Sequence, residues 1–226
     1  MKKLNKDTLQ DNNSSEERTI ALFDFDGTIS YCDSLLPFFR FIVGRQKFYR
    51  IFLNLIPKLL MLKVGLISAE ELKSIFIKRF CGQLSKEELT SIAEEFAEKV
   101  LPKLINPIAL IEVKRLQKNG VLITIISASP ELYLKPWAAT AGIKTVISTK
   151  ITSTHVLGKN CKGQEKVNRL FSIISKESFS TLISLGYGDS SGDREMLSIV
   201  NISYWKPFRK NGFQIKAFWK LFINLI

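Results

Sequence analysis

The chain has 226 residues, 46% of them apolar, which is enough for one large domain or a domain with an insert and excludes a disordered or disulfide-stapled scaffold. Lys and Arg number 33 against 21 Asp and Glu, a net charge of +12 that fits a phosphorylated substrate, an anionic membrane or a nucleic acid. Three widely spaced cysteines, Cys32, Cys81 and Cys161, form neither a disulfide framework nor a zinc pattern and point to a reducing cytosol.

Residues 1–18 are polar, lack the apolar core of a signal peptide and read as a mobile arm. The apolar run 20–24 reads as a short buried strand that delivers Asp24-Phe25-Asp26-Gly27-Thr28. Two carboxylates at the end of a buried strand are costly to desolvate unless a cation or a hydrogen-bond network compensates them. Residues 32–104 then read as helix throughout. Asp33-Ser34 precedes a helix at 34–43, which Asp33 is placed to cap. Ser68-x-x-Glu71 and Ser85-x-x-Glu88 look like capping boxes opening two more helices. Residues 85–101 carry Leu89, Ile92, Ala93, Phe96 and Val100 on one face and acids on the other.

Residues 34–69 contain no acid but six basic residues, Arg40, Arg45, Lys47, Arg50, Lys58 and Lys63, among Phe38, Phe39, Phe41, Phe48, Tyr49 and Phe52. Such a mixture suits an anionic membrane surface, or the inner packing of the helical piece itself. The stretch 48–67 is long enough to span a bilayer, but a charge at the bilayer centre costs about 2.5–3.5 kcal/mol, so Arg50, Lys58 and Lys63 argue for interfacial contact instead.

Asn106-Pro107 places a cap and an N1 proline before a helix at 107–118. The run 121–126 is the clearest strand, β-branched and preceded by Asn119-Gly120. It ends at Ser127-Ala128-Ser129, with Ser129-Pro130 read as the start of a helix at 130–141. Residues 145–148 read as a strand and 149–160 as a hairpin holding His155, the single histidine, as a structural or exposed residue. Helices are expected at 163–175 and 191–199, and strands at 182–187 and 201–204. The strand at 182–187 runs into Gly188-Asp189-Ser190-Ser191-Gly192-Asp193. Residues 211–226 read as an amphipathic, basic tail helix. Strands alternating with helices predict an α/β fold: a Rossmann-like parallel sheet with helices on both faces, built from 19–31 and 105–210, and an inserted all-helical cap at 32–104.

In such a sheet, ligands bind beyond the carboxyl ends of the strands. Three strand ends here carry Asp24 and Asp26, Ser127, and Asp189 with Asp193. Together with Gly163-Gln164-Glu165-Lys166-Val167, these motifs resemble the haloacid dehalogenase-like (HAD) phosphohydrolases, over about residues 19–205. The resemblance implies Asp24 as nucleophile and Asp26 as general acid/base. It implies Ser127 as a phosphoryl hydrogen-bond donor and Lys166, with Lys162 as fallback, as the charge-balancing lysine. It places Mg²⁺ on the Asp24 side chain, the Asp26 carbonyl and Asp189, with Asp193 orienting its waters or adding a ligand. Gly27, Thr28, Ala128 and Ser129 would contact the phosphate, and Asp33 would stand near the substrate. Ser190 departs from the commoner glycine of the fourth motif.

The position of the insert and the lysine motif resemble the phosphoserine-phosphatase-like branch (subfamily IB), and the basic aromatic insert resembles bacterial phosphatidylglycerophosphate phosphatases. The expected substrate is a phosphorylated small molecule or lipid headgroup: an amphiphilic phosphomonoester first, phosphoserine second. The expected location is cytoplasmic, with peripheral contact at the inner face of an anionic membrane as a further expectation, and no nucleic-acid partner. The alternative of another class is a catalytically dead membrane- or nucleic-acid-binding module. Its basic charge motivates it; the complete set of Asp24, Asp26, Ser127, Lys166, Asp189 and Asp193 argues against it.

Overall fold

The computed structural model describes residues 18–208; the expected arm and tail helix lie outside them, apart from Arg18. Six strands form one sheet: β1 (Thr19–Phe23), β2 (Leu122–Pro130), β3 (Thr145–Ile151), β4 (Val156–Leu157), β5 (Ile183–Gly188) and β6 (Ile202–Trp205). Their order is β4-β3-β2-β1-β5-β6. All neighbours pair in parallel except β3 and β4, which form the expected hairpin. The fold is α/β and Rossmann-like. From β1 the chain builds outward to β2 and β3, then returns to place β5 and β6 on the other side. This reversal puts the carboxyl ends of β2 and β5 on either side of that of β1, where such sheets bind ligands.

Successive side chains of β1 point to opposite faces and feed two separate cores. Ala21 and Phe23 join the larger core, with Val113 and Leu116 of α5 (Pro107–Lys118) and Leu134 of α6 (Glu131–Thr140). Ile20 and Leu22 join the smaller one, with Leu170 of α7 (Gln164–Phe171), Phe179 of α8 (Lys176–Ser180) and Met196 of α9 (Arg194–Ser198). Helices therefore cover both faces of the sheet.

Between β1 and β2 the chain forms α1 (Leu35–Val43), α2 (Arg45–Lys63), α3 (Ala69–Cys81) and α4 (Lys86–Lys99). It enters and leaves this insert side by side: Tyr31 N–H donates to the Leu104 carbonyl (2.8 Å) and Asn106 N–H to that of Ile29 (2.9 Å). Ser85 and Glu88 close both halves of a capping box, whereas Ser68 supplies one half by accepting from Glu71 N–H. The insert is held by aromatic rings. Phe39 stacks on Phe80 at 4.7 Å, and Phe38 meets Phe96 at 5.1 Å and Tyr133 of α6 at 5.0 Å. Phe38, Phe39, Phe48 and Phe52 are all buried. Most of the phenylalanines in the basic stretch therefore serve the interior and do not face a membrane. No described helix is long and apolar enough to cross one.

Three local expectations need correction. Strand β2 does not stop at residue 126: it continues to Pro130, which still pairs with Thr149 of β3 after a register shift. Ser129 consequently lies in the strand and caps no helix; α6 begins at Glu131 without a side-chain cap. The helix expected at 163–175 breaks after Phe171, because the Ser175 hydroxyl accepts from Ser178 N–H and starts α8. The helix expected at 191–199 opens with a 3₁₀ turn, Ser191–Asp193, before α9.

Phe39→Ala removes a fully buried ring from the centre of the insert. We expect a loss of about 3–5 kcal/mol of stability, read as a lower urea midpoint; an unchanged midpoint would contradict this packing.

Candidate active site

The backbone first makes room for the side chains. Asp24 extends the ladder beyond β1, its N–H donating to the Tyr187 carbonyl (2.9 Å). The chain then turns tightly through residues 25–29 with Gly27 at φ 79°. A Cβ on Gly27 would lie 2.5 Å from Asp189 Oδ2, so only glycine brings the two motifs this close. At the end of β5, a Cβ on Gly188 would lie 2.7 Å from that of Asp193, whose side chain crosses there.

Lys166 is buried between two carboxylates. Its Nζ donates to Asp24 Oδ1 and to Asp193 Oδ1, each at 2.6 Å. Burial works against its charge, but Asp24 and Asp193 outweigh burial and hold its pKa above the ordinary lysine value. Of the two lysines the sequence left open, Lys166 makes this contact. Lys162 lines the same cavity, and its stem lies against Gly192. The other oxygen of Asp193 accepts from Asp189 N–H (3.1 Å), Ser190 N–H (2.9 Å) and the Ser190 hydroxyl (2.9 Å). Both oxygens of Asp193 are thus engaged in fixing the loop and Lys166. Serine in place of the commoner glycine at position 190 supplies one of those bonds. Burial is again opposed by Lys166 and these donors, and the Asp193 pKa lies below its usual range.

Asp24 feels the opposite balance. Burial pushes its carboxyl well up; Lys166 opposes this, while Asp193 and Asp189 add to it. Oxygens of Asp24, Asp189 and Asp193 all lie within 4.8 Å of one another. Hard oxygen donors gathered at this density repel one another and fit a small divalent cation such as Mg²⁺.

Asp26 has different surroundings. Its Oδ1 accepts from Ser34 N–H (2.9 Å) and its Oδ2 from the Ser129 hydroxyl (2.5 Å). Burial, helped by the neighbouring Asp33, raises its pKa to about 7 against those hydrogen bonds. Ser127 is buried beside it, 3.0 Å from the Ser129 hydroxyl. Asp33 Oδ1 accepts from Leu35 N–H (2.8 Å), the capping role its position predicted, and the residue also lines the cavity.

Asp24, Asp26, Gly27, Asp33, Ser127, Ala128, Ser129, Lys166, Asp189 and Asp193 line one cavity of about 170 Å³. Thr28 does not line it. Its hydroxyl is buried and has no hydrogen-bond partner among the described residues. His155 sits exposed in the hairpin turn, as expected. Burial, Asp26 and Asp33 push the Cys32 thiol up to about 12, which disfavours its thiolate.

The sequence reading missed Lys73 of α3. Its buried Nζ donates to the Ala128 carbonyl (2.7 Å) and to Asn160 Oδ1 (2.8 Å), tying the insert to the end of β2 and to the hairpin. Glu70 Oε1 accepts from Asn160 N–H (3.0 Å) and strengthens the tie. Burial lowers the Lys73 pKa to about 8, against the pull of Asp33 and Asp26. A signal was present: Lys73 shares the apolar face of Phe76, Ile77 and Phe80, where a lysine needs a buried partner.

Lys166→Met leaves two buried carboxylates without their cation. Breaking a buried pair in this way costs about 3–5 kcal/mol, so we expect a matching drop in urea stability at neutral pH. A variant as stable as wild type would mean that Lys166 does not offset their charge.

A family profile described as haloacid dehalogenase-like hydrolase matches residues 21–198. The chain is 29% identical over 200 residues to Protein CicA of Caulobacter vibrioides (strain NA1000 / CB15N), covering 85% of this chain and 88% of that protein. A solved structure of a protein of unknown function from Bordetella pertussis Tohama I matches with a TM-score of 0.70 and 22% identity, over 83% of this chain and 89% of that one. A phosphoserine phosphohydrolase-like protein from Francisella tularensis subsp. tularensis SCHU S4 matches with a TM-score of 0.54 and 19% identity, over 80% of this chain and 82% of that one. The structural likenesses speak to the fold, and the family match spans every strand end described above, from Asp24 to Asp193. The chain belongs to the haloacid dehalogenase-like hydrolases.

Proposed function

We propose that this hydrolase is a Mg²⁺-dependent phosphomonoesterase that works through an aspartyl-phosphate on Asp24. One observation carries the reading: two carboxylates two residues apart face the same cavity with different partners, Asp24 held by a lysine and Asp26 by hydroxyl and amide donors. Environments that separate two carboxylates in this way assign them different roles. An Asp24 oxygen attacks phosphorus while the ester P–O bond breaks. Asp26, with a pKa near 7, hands its proton to the departing alkoxide. It then takes a proton from the water that attacks the aspartyl-phosphate, releasing phosphate and restoring Asp24. Lys166 offsets charge on Asp24, and Asp193 holds Lys166 in place. Ser127 would donate to a phosphoryl oxygen. Asp24, the Asp26 carbonyl and Asp189 are the residues that would hold Mg²⁺, with Asp193 ordering its surroundings. The ion would supply positive charge between the carboxylates and the incoming phosphate.

The leaving group would meet the helical insert, which we read as a cap over the cavity. Tyr31, Leu35, Leu36, Leu72, Phe76 and Pro130 give the cavity an apolar wall, supporting an amphiphilic phosphate such as phosphatidylglycerophosphate. A second reading, phosphoserine or another small metabolite, draws on Asp33 and Lys73: opposite charges on the same lining suit an ammonium and a carboxylate. Lys73 is already bonded to Ala128 and Asn160, which weighs for the first reading.

Hydrolysis of p-nitrophenyl phosphate tests the chemistry. We expect chelation with EDTA to abolish turnover, Mg²⁺ to restore it, and Asp24→Asn to lower kcat by about three orders of magnitude or more. Full activity in Asp24→Asn would rule out the nucleophile, and EDTA-resistant turnover would rule out the metal. A panel of phosphatidylglycerophosphate in mixed micelles, phosphoserine and sugar phosphates then separates the substrates. Preference for phosphoserine, with KM raised by Lys73→Met, would establish the second reading.

A further inference from the structure

Helix α2 has two apolar faces where a surface helix needs one. Phe48, Ile51, Phe52, Leu55 and Leu59 are buried against the insert. A second line, Tyr49, Leu53, Ile56 and Leu60, recurs every third or fourth residue and so forms one stripe along the helix, extended by Val64 just beyond it. This stripe is in solvent: Leu53 is 63% exposed, Leu60 58% and Val64 70%. A contiguous apolar stripe of this kind marks a contact surface. Around it stand Arg45, Lys47, Arg50 and Lys63, all exposed. No acid occurs between residues 34 and 69; the next two, Glu70 and Glu71, open α3, and Glu70 is turned to Asn160.

Charge selects the occupant. A second copy of the chain, face to face, would set these cations against their own kind. An anionic bilayer offers both an apolar layer for the stripe and negative headgroups for the rim. The long Arg and Lys stems can reach those headgroups while the stripe is submerged. We propose that the outward face of α2 seats the protein on an anionic lipid surface, with the helix lying in the interface. The inference rests on the amphiphilic-phosphate reading of the site and deepens it. Helix α2 packs on α1 and α3, whose Leu35, Leu36, Leu72 and Phe76 line the cavity, so docking would bring the apolar wall of the site to the membrane.

Vesicle sedimentation at moderate salt tests it on the full chain, comparing phosphatidylglycerol-containing with pure phosphatidylcholine vesicles. We expect wild type to partition at least about tenfold better into the anionic vesicles, and Leu53→Asp/Leu60→Asp to lose at least about tenfold of that binding while hydrolysing soluble p-nitrophenyl phosphate at the wild-type rate. Leu60→Trp provides a second measurement, since its added emission shifts to the blue when vesicles cover the stripe. Absence of wild-type binding overturns the proposal, as does undiminished binding by the double variant or an unshifted Leu60→Trp. A wild-type dimer that the double variant dissolves also overturns it, in favour of a protein interface. Vesicle binding without phosphomonoester turnover would defeat the catalytic reading and leave the docking surface standing; turnover without binding would do the reverse.

Discussion

Lys166 between Asp24 and Asp193 is the interaction on which the rest of the site depends. Each of the three groups would be costly to bury alone, and each is tolerable because the others are present. The pairing joins α7 to the ends of β1 and β5, so placing one cation also fixes where three elements end. It draws on the glycines around it as well. Gly27 and Gly188 lack the side chains that would otherwise keep Asp189 and Asp193 away from the first motif.

The same cluster is left with more negative charge than Lys166 alone offsets, and Lys73 and Lys162 line the same cavity. Asp189 stands beside Asp24 and Asp193, and Asp26 and Asp33 lie along the same cavity. The chain answers this in two ways. Asp26 is surrounded by hydroxyl and amide donors that tolerate either protonation state, which suits the proton shuttle we propose it to be. Asp24 is bound to the Lys166 cation, which opposes the upward push of burial on its carboxyl and suits the nucleophile we propose it to be.

The helical insert is joined to this chemistry through Lys73. A buried lysine from α3 bonded to the main chain near the end of β2 places the insert, β2 and the hairpin in one hydrogen-bond network. The inner face of the insert is phenylalanine packed on phenylalanine. Its outer face keeps apolar residues in water among basic ones. One short stretch of sequence thus serves both the core of the insert and a surface with no partner among the described residues.

The strands, the parallel sheet and the motif residues were legible in the chain because each is written locally. Period-two and continuous apolar runs mark buried strands, and Asp24-x-Asp26, Ser127, Lys166 and Asp189 each follow such a run or open a helix. Where strand β2 stops was not legible, because Pro130 pairs with Thr149 across the sheet and no local rule records a cross-strand partner. The second role of Ser129 was hidden for the same reason. Its neighbours mark a helix cap, yet its hydroxyl is claimed by Asp26, more than a hundred residues earlier. Likewise, the aromatic stretch of the insert fitted either a membrane surface or internal packing, and the fold turned most of its rings inward while leaving Tyr49, Leu53, Ile56 and Leu60 outside. The sequence by itself determined most of the groups that could do chemistry and the elements that hold them, Lys73 and Ser129 excepted. Tertiary structure alone decided which of them meet, because contacts between distant residues depend on strand order and burial, and neither is written in local spacing.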